Sequence, residues 1–133
     1  MRLNDYQKAA MTTCMESSNN FSYMFLNLVG EVGELASKVA KAIRKEKLAI
    51  GWWEQGDEAS ESNLIPTTNF FEWSEFSEEL KKEAGDVLWQ LSGLCSVMGW
   101  SLEEIAQMNL DKLAARKAVG TIDGNGDGII RDK

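Results

Sequence analysis

The chain has 133 residues, 44% of them hydrophobic, and its 21 acidic and 14 basic side chains give a formal net charge of −7. This charge argues against a nucleic-acid partner, and the absence of histidine from the sequence removes the commonest zinc ligand and general base. The length suits one domain over residues 1–133. Without a signal peptide or an apolar run of roughly 18 residues, a soluble cytoplasmic protein with no membrane partner is expected. Cys14 and Cys95 are expected to be reduced packing residues, with a disulfide as the alternative.

Two helices are predicted in the first third of the chain. Asn4 followed by Gln7 is typical of a capping box, which places the start of the first helix here. The Ser and Asn cluster at 17–20 is predicted to end this helix and to begin the next. The second helix is predicted from Phe21 to about Lys47, because its basic end suits the negative end of the helix dipole.

Two pairs of acids lie within helical patterns, Glu31 with Glu34 and Glu83 with Asp86. The members of each pair are three residues apart, so both project from one side of their helix. At roughly 100° per residue they border the apolar stripe of that helix. Because burying an unpaired carboxylate is costly, a bound cation is favoured, and oxygen ligands suit Mg²⁺ or Mn²⁺. The alternative is that each pair belongs to a solvated helix face.

The surroundings of the acid pairs also point to a ligand. Gly33 and Gly85 lie inside helical patterns, where Gly costs about 1 kcal/mol relative to Ala. Either a close helix approach or room for a ligand would explain that cost. The basic residues nearby are expected to lie mostly on other faces and to leave the acids without partners: Lys38, Lys41, Lys81 and Lys82.

The connection at 51–76 is long, acidic and rich in aromatic residues. It holds the only proline of the chain, and the stretch 54–79 has eight acids and no base. We expect a long loop with a short helix near 70–76. A connection of this length is usually functional or disordered. The aromatics, which include Trp52 and Trp53, are predicted to form either a wall or lid over a ligand, or a subunit contact or additional core.

Two further helices are predicted after this connection. The third spans about 77–98 and ends at Gly99, which suits a C-cap. Ser101 and Glu104 form a capping box that opens the fourth, which extends to about residue 119. Asn109, Lys112 and Arg116 recur on one side of this helix. They are either ordinary surface groups or a set of donors for an anion.

The Gly- and Asp-rich tail at 120–133 begins like an EF-hand calcium loop at residues 123–132. Acids, Asn and Gly occupy its first positions, but the chain ends before the twelfth, where a bidentate Glu belongs. Calcium binding through this tail is therefore an alternative.

These motifs together resemble the MazG-like, all-α nucleoside triphosphate pyrophosphohydrolases. The family signature, Glu-x-x-Glu followed by Glu-x-x-Asp, is matched at Glu31, Glu34, Glu83 and Asp86. The context "LNDYQKAAMTT", "GEVGELASKVAKAIRK" and "EELKKEAGDVLWQLSGLCSVMGWSLEEIAQMNLDKLAARK" matches as well. The resemblance leaves out 51–75, where this chain has a longer connection than is usual for the family.

The resemblance implies a four-helix bundle-like, all-α, oligomeric domain that hydrolyses (deoxy)nucleoside triphosphates to monophosphate and pyrophosphate. It implies Mg²⁺, with Mn²⁺ possible, held by the four signature acids, and a homodimer or homotetramer with sites near subunit contacts. For the tail at 120–133 it implies a flexible segment that closes on the substrate or on another subunit. Glu34 or Glu79 is the expected catalytic base. The expected substrate-binding residues are those of the fourth helix and of the connection: Asn109, Lys112, Arg116, Trp52 and Trp53.

Two other classes of function remain open. One is a non-catalytic helical interaction module whose acids bind a basic partner surface. It predicts no magnesium affinity and tolerance of Glu31→Gln. The other is a calcium-responsive protein that uses the 123–132 tail, and it predicts a response to Ca²⁺ that is lost when 123–133 is removed.

Overall fold

The computed structural model describes residues 1–50, 64–67 and 71–120. It contains four α-helices, α1 (Leu3–Met11), α2 (Phe21–Arg44), α3 (Trp73–Val97) and α4 (Leu102–Ala118), with a 3₁₀ turn at Glu16–Ser18 and two short strands, β1 (Leu48–Ile50) and β2 (Leu64–Pro66). The predicted all-α class is confirmed, with a two-stranded sheet added to it. Contacts group residues 1–24 with 91–133 as a first compact unit and 25–90 as a second. The single domain over 1–133 stays a prediction.

The first unit shows that the predicted capping box of helix one is wrong. α1 begins at Leu3. The backbone N–H of the N-cap residue, Arg2, donates to the carboxylate of Asp5. Asn4 and Gln7 instead reach the corner between α3 and α4. There the Ser101 hydroxyl donates to the Asn4 amide oxygen (2.6 Å) and the backbone N–H of Leu102 donates to the Gln7 amide oxygen (2.8 Å). Polar side chains of α1 thus provide hydrogen-bond partners for polar groups at this corner that the helices leave unpaired.

The start of α2 agrees with its prediction, whereas its end lies closer to the N-terminus than predicted. The amide oxygen of Asn20 accepts from the backbone N–H of Tyr23, which is N-cap geometry. α2 ends at Arg44, and the N–H of Lys47 then bonds to the carbonyl of Ala42. Glu46 adopts φ +59° between them, so the helix closes in a Schellman motif.

The second unit contains a small antiparallel sheet that the sequence prediction missed. Leu48 pairs with Pro66 and Ala49 with Ile65, and Leu48 is 2% exposed. Strands of three residues are too short to show an alternating pattern, and Pro66 argued for a loop. β1 therefore lies directly before the stretch predicted as one long loop, and β2 lies within that stretch.

Helix α3 starts earlier than predicted, since Trp73 is its first residue. The expected short helix near 70–76 is, from Trp73 onward, the opening of α3. The aromatic rings around this helix start pack edge-on. The ring centroids of Phe71 and Trp73 are 4.9 Å apart, and those of Phe71 and Phe76 are 5.3 Å apart. Local contacts between aromatic rings thus accompany the earlier start of the helix.

The predicted boundaries at the α3–α4 corner are confirmed. Gly99 has φ +73°, the left-handed conformation expected after a helix end. The Ser101 hydroxyl accepts from the backbone N–H of Glu104 at 3.2 Å, which caps α4. Among the described residues, no helix is long and apolar enough to cross a membrane.

Gly93 on α3 provides a test of packing in the first unit. A Cβ built on Gly93 would overlap the thioether of Met24, and Met24 is fully buried. We expect Gly93→Val to lower the free energy of unfolding by about 1–3 kcal/mol, the usual cost of overpacking. Urea denaturation measures this change.

Gly85→Ala on the same helix is the control for a position with free space. A Cβ on Gly85 meets no described atom within 4 Å, so this change should stabilise the protein by about 1 kcal/mol through helix propensity. A Gly93→Val protein as stable as the wild type would contradict the packing at Met24.

Candidate metal-binding site

Three of the four predicted acids come together within the second unit. One carboxylate oxygen from each of Glu31, Glu83 and Asp86 lies within 4.8 Å of the others. Glu31 comes from α2, and Glu83 and Asp86 follow one another on one side of α3 because they are three residues apart. We call this set the three-acid group. Glu34, the fourth predicted ligand, is exposed and lies outside it.

The electrostatics of the three-acid group favour a cation. Burial raises the pKa of the Glu31 carboxyl, and the charges of Asp86, Glu34 and Glu83 raise it further, against a hydrogen bond from Asn27 that lowers it. Like charges held this close disfavour each other's ionised form. A divalent cation with oxygen ligands would remove that cost, and a donor set of carboxylates alone fits a hard ion such as Mg²⁺ or Mn²⁺.

A lysine reaches the three-acid group, contrary to prediction. The Lys38 ammonium lies 3.7 Å from a carboxylate oxygen of Glu83. Lys38 follows Glu31 by seven residues and so returns to the same face of α2, a spacing that the sequence contains. One positive charge at this distance only partly balances three carboxylates. Lys81 instead pairs with Glu78 on the exposed side of α3.

Two amide side chains near the acids were missed by the sequence prediction. The Asn27 amide N–H group donates to the Gln90 side-chain oxygen at 2.8 Å and to a Glu31 carboxylate oxygen at 3.4 Å. Gln90 is 1% exposed, so its position is fixed by the interior. Asn27 thereby ties Glu31 to the core of the unit. The signal in the sequence was the spacing of four residues between Asn27 and Glu31.

We expect Asn27→Ala to weaken divalent-metal binding by about tenfold, because residues that orient metal ligands typically contribute 10–100-fold in affinity or activity. Isothermal titration calorimetry with Mn²⁺ measures the affinity. Ser37→Ala, at an exposed position of the same helix, is the control and should bind like the wild type. Thermal unfolding without metal separates lost orientation from lost stability. Wild-type Mn²⁺ affinity in Asn27→Ala would show that Asn27 does not position Glu31.

The glycines beside the acids have open space around them. A Cβ on Gly33 or on Gly85 meets no described atom within 4 Å. Among the described residues, close helix packing therefore does not explain these glycines. The second explanation, room for a ligand beside the acids, is the one that remains consistent with the geometry.

The other predicted site residues are distributed over both units. Asn109 and Lys112 are exposed on α4 in the first unit, whereas Arg116 on the same helix is 9% exposed. Glu79 is exposed on α3 in the second unit. The EF-hand-like tail at 123–132 lies outside the described residues, as do Trp52 and Trp53.

The described residues form an all-α domain in which two of the four helices bring three carboxylates together, and comparison with known proteins specifies its family. Residues 19–120 match the MazG nucleotide pyrophosphohydrolase domain, which is more than half of the chain. The chain is also similar to the "Gene 37 protein" of Mycobacterium phage L5, with 31% identity over 134 residues, covering 96% of this chain and 98% of that protein. No solved structure gives a significant match. The chain belongs to the MazG nucleotide pyrophosphohydrolase family.

Proposed function

We propose that this protein hydrolyses (deoxy)nucleoside triphosphates with Mg²⁺ to the monophosphate and pyrophosphate. The observation that carries the proposal is the convergence of Glu31, Glu83 and Asp86 within 4.8 Å in a chain of the MazG family. The substrate class suits a cytoplasmic role in house-cleaning or in control of the nucleotide pool.

The carboxylates divide into ligands and a base. Glu31, Glu83 and Asp86 would hold the metal, and a bound divalent ion neutralises phosphate oxygens and lowers the pKa of an attacking water. Of the two candidate bases, Glu34 is the one whose charge acts on Glu31. It is exposed and outside the three-acid group, so we assign to it the acceptance of the proton from water.

Polar and basic side chains of α4 are proposed to contact the phosphates. Lys112 and Asn109 are exposed and available as donors, and a triphosphate needs donors from the protein as well as metal. Arg116 is largely buried, so we rank it behind these two.

We also propose that the protein is a homodimer or homotetramer. The first half of α2 exposes several large apolar side chains: Phe25, Leu26, Val29 and Val32. Positions 25, 29 and 32 recur on one helix face, and contiguous exposed apolar surface of this kind marks interaction sites. We call these four residues the α2 apolar face.

The test of the reaction is pyrophosphate release from a panel of ribo- and deoxynucleoside triphosphates with Mg²⁺. Release of pyrophosphate and monophosphate in equal amounts is expected from at least one of them. Orthophosphate as the first product would contradict cleavage between the α and β phosphates. A folded protein that neither turns over any substrate nor binds Mg²⁺ would favour the helical interaction module.

A response to Ca²⁺ that is lost on deleting 123–133 would favour the calcium-responsive alternative.

A further inference from the structure

The second unit contains a cavity of about 490 Å³ beside the three-acid group. This volume lies in the range typical of small-molecule sites, roughly 300–1,000 Å³. Its lining comes from the last turns of α2 and the residues that follow, and from the beginning of α3 and the residues before it. Both Lys38, which pairs with Glu83, and Glu79, one helical turn before Glu83, line it. The cavity therefore adjoins the proposed metal site.

One wall of the cavity is cationic. It carries Lys38, Lys41, Lys45 and Lys47. Lys38 and Lys41 are three residues apart and so share a face of α2, and Lys45 and Lys47 follow the end of that helix. In the part of the chain that the structure describes, Lys41, Lys45 and Lys47 form no ion pair. These ammonium groups are available to an anion of high charge.

The part of the lining that comes from α3 and the residues before it is aromatic and acidic. Phe71 and Phe76 line the cavity, and Trp73 lies outside its lining. The Trp73 ring packs edge-on against both, with its centroid 4.9 Å from that of Phe71 and 6.2 Å from that of Phe76. The two rings are thus held in place and present apolar surface to the cavity. Glu72 and Glu75 also belong to this part of the lining. Carboxylates of this kind accept hydrogen bonds from sugar hydroxyls and base amines.

A nucleotide has the chemistry that these walls share, because it joins a flat ring, a hydroxylated sugar and phosphate. The spacing agrees as well. Phe76 precedes Glu83 by seven residues, roughly 10 Å along the helix axis, which is comparable to the length of a nucleoside monophosphate. A ring at Phe76 would place the α-phosphate near Lys38 and Lys41, next to the three-acid group.

We propose that this cavity is the nucleoside subsite of the same centre, in which Phe71 and Phe76 contact the base and Lys38 and Lys41 bind the phosphates that lead to the metal. The proposal rests on the proposed function and specifies where the substrate lies. Phe71 and Phe76 are then base-contacting residues. Aromatic contact of this type contributes about 1–3 kcal/mol per base.

Binding of nucleoside monophosphates, measured by calorimetry in the presence of Mg²⁺, tests the subsite without turnover. Phe76→Ala and Lys41→Glu should each raise the Kd of the best-bound monophosphate at least tenfold. Lys82→Glu is the matched control, because it makes the same charge change at an exposed position of α3 outside the cavity, and it should change the Kd less than twofold. Phe76→Ala should also weaken binding of the free nucleoside, whereas Lys41→Glu should not.

The outcomes separate the subsite from the reaction. Turnover of triphosphates, with monophosphate affinity unchanged in Phe76→Ala and Lys41→Glu, would overturn the subsite and leave the proposed function intact. Monophosphate binding that depends on both residues, without turnover of any triphosphate, would support the subsite and contradict the reaction. No binding of any monophosphate by the wild type would also overturn the subsite. Lys41→Glu keeps the test decisive if Phe76→Ala fails to fold, because Lys41 is exposed.

Discussion

Glu83→Gln is expected to abolish divalent-metal binding and to reduce pyrophosphate release by at least 100-fold. Glu83 is one of three carboxylates within 4.8 Å of one another, and the amide is a neutral, weaker ligand of nearly the same size. Loss of one of three charges lowers the affinity for a hard cation. Loss of the metal, which would stabilise charge on the phosphates in the transition state, would lower kcat as well. Turnover in the panel assay and Mn²⁺ titration measure the two effects.

Thermal unfolding provides a readout of the same site that is independent of activity. A ligand that binds only the folded state at 100 times its Kd stabilises it by about 2.7 kcal/mol. Mg²⁺ or Mn²⁺ should therefore raise the Tm of the wild type and not that of Glu83→Gln.

Glu78→Gln on the same helix is the control for this experiment, because Glu78 pairs with Lys81 at the surface. It should keep both turnover and the metal-dependent rise in Tm. Full activity in Glu83→Gln would show that the three-acid group is not the catalytic metal site.

The double variant Leu26→Glu with Val29→Glu is expected to convert the oligomer to the 14.8 kDa monomer. Leu26 is 69% and Val29 64% exposed on the α2 apolar face, and burial of such side chains contributes about 1.5–3 kcal/mol each. Charges at these positions would have to be desolvated in an interface, which is costly. Sedimentation velocity at micromolar concentration measures the mass of both proteins.

The control for the oligomer is Ser37→Glu, which adds a charge to an exposed position of α2 beyond the apolar face. It should leave the mass of the wild-type oligomer unchanged. A wild type that sediments as a monomer would overturn the oligomer proposal. A double variant of unchanged mass would show instead that the α2 apolar face is not the interface.

Local signals predicted much of this fold. Helix caps depend on a few consecutive residues, so the sequence alone could predict three of them. These are the start of α2 at Asn20, the end of α3 near Gly99 and the cap at Ser101. The same logic failed for Asn4 and Gln7. Their side chains also suit a cap, but partners 89 to 99 residues away compete for them.

In the candidate site too, features within one helix could be predicted from the sequence, whereas contacts between helices could not. The spacing within each acid pair follows from the period of a helix, and it identified Glu31, Glu83 and Asp86. The contacts between Asn27 and Gln90, which are 63 residues apart, and between Lys38 and Glu83 require knowledge of which faces of α2 and α3 meet. The spacings of Asn27 and Lys38 from Glu31 were visible in the sequence, but spacing alone does not identify the partner.

The sequence by itself determined the helical class, the acid pairs and the family, because these depend on periodicity, local capping and the order of motifs along the chain. Only the tertiary structure decided which three acids converge and that Glu34 remains outside them. It also decided that lysines and phenylalanines from α2, α3 and the residues beside these helices line a cavity near the acids. The physical reason is that a site is defined by distances between side chains on different elements. Those distances depend on how the elements pack, which no spacing within one element specifies.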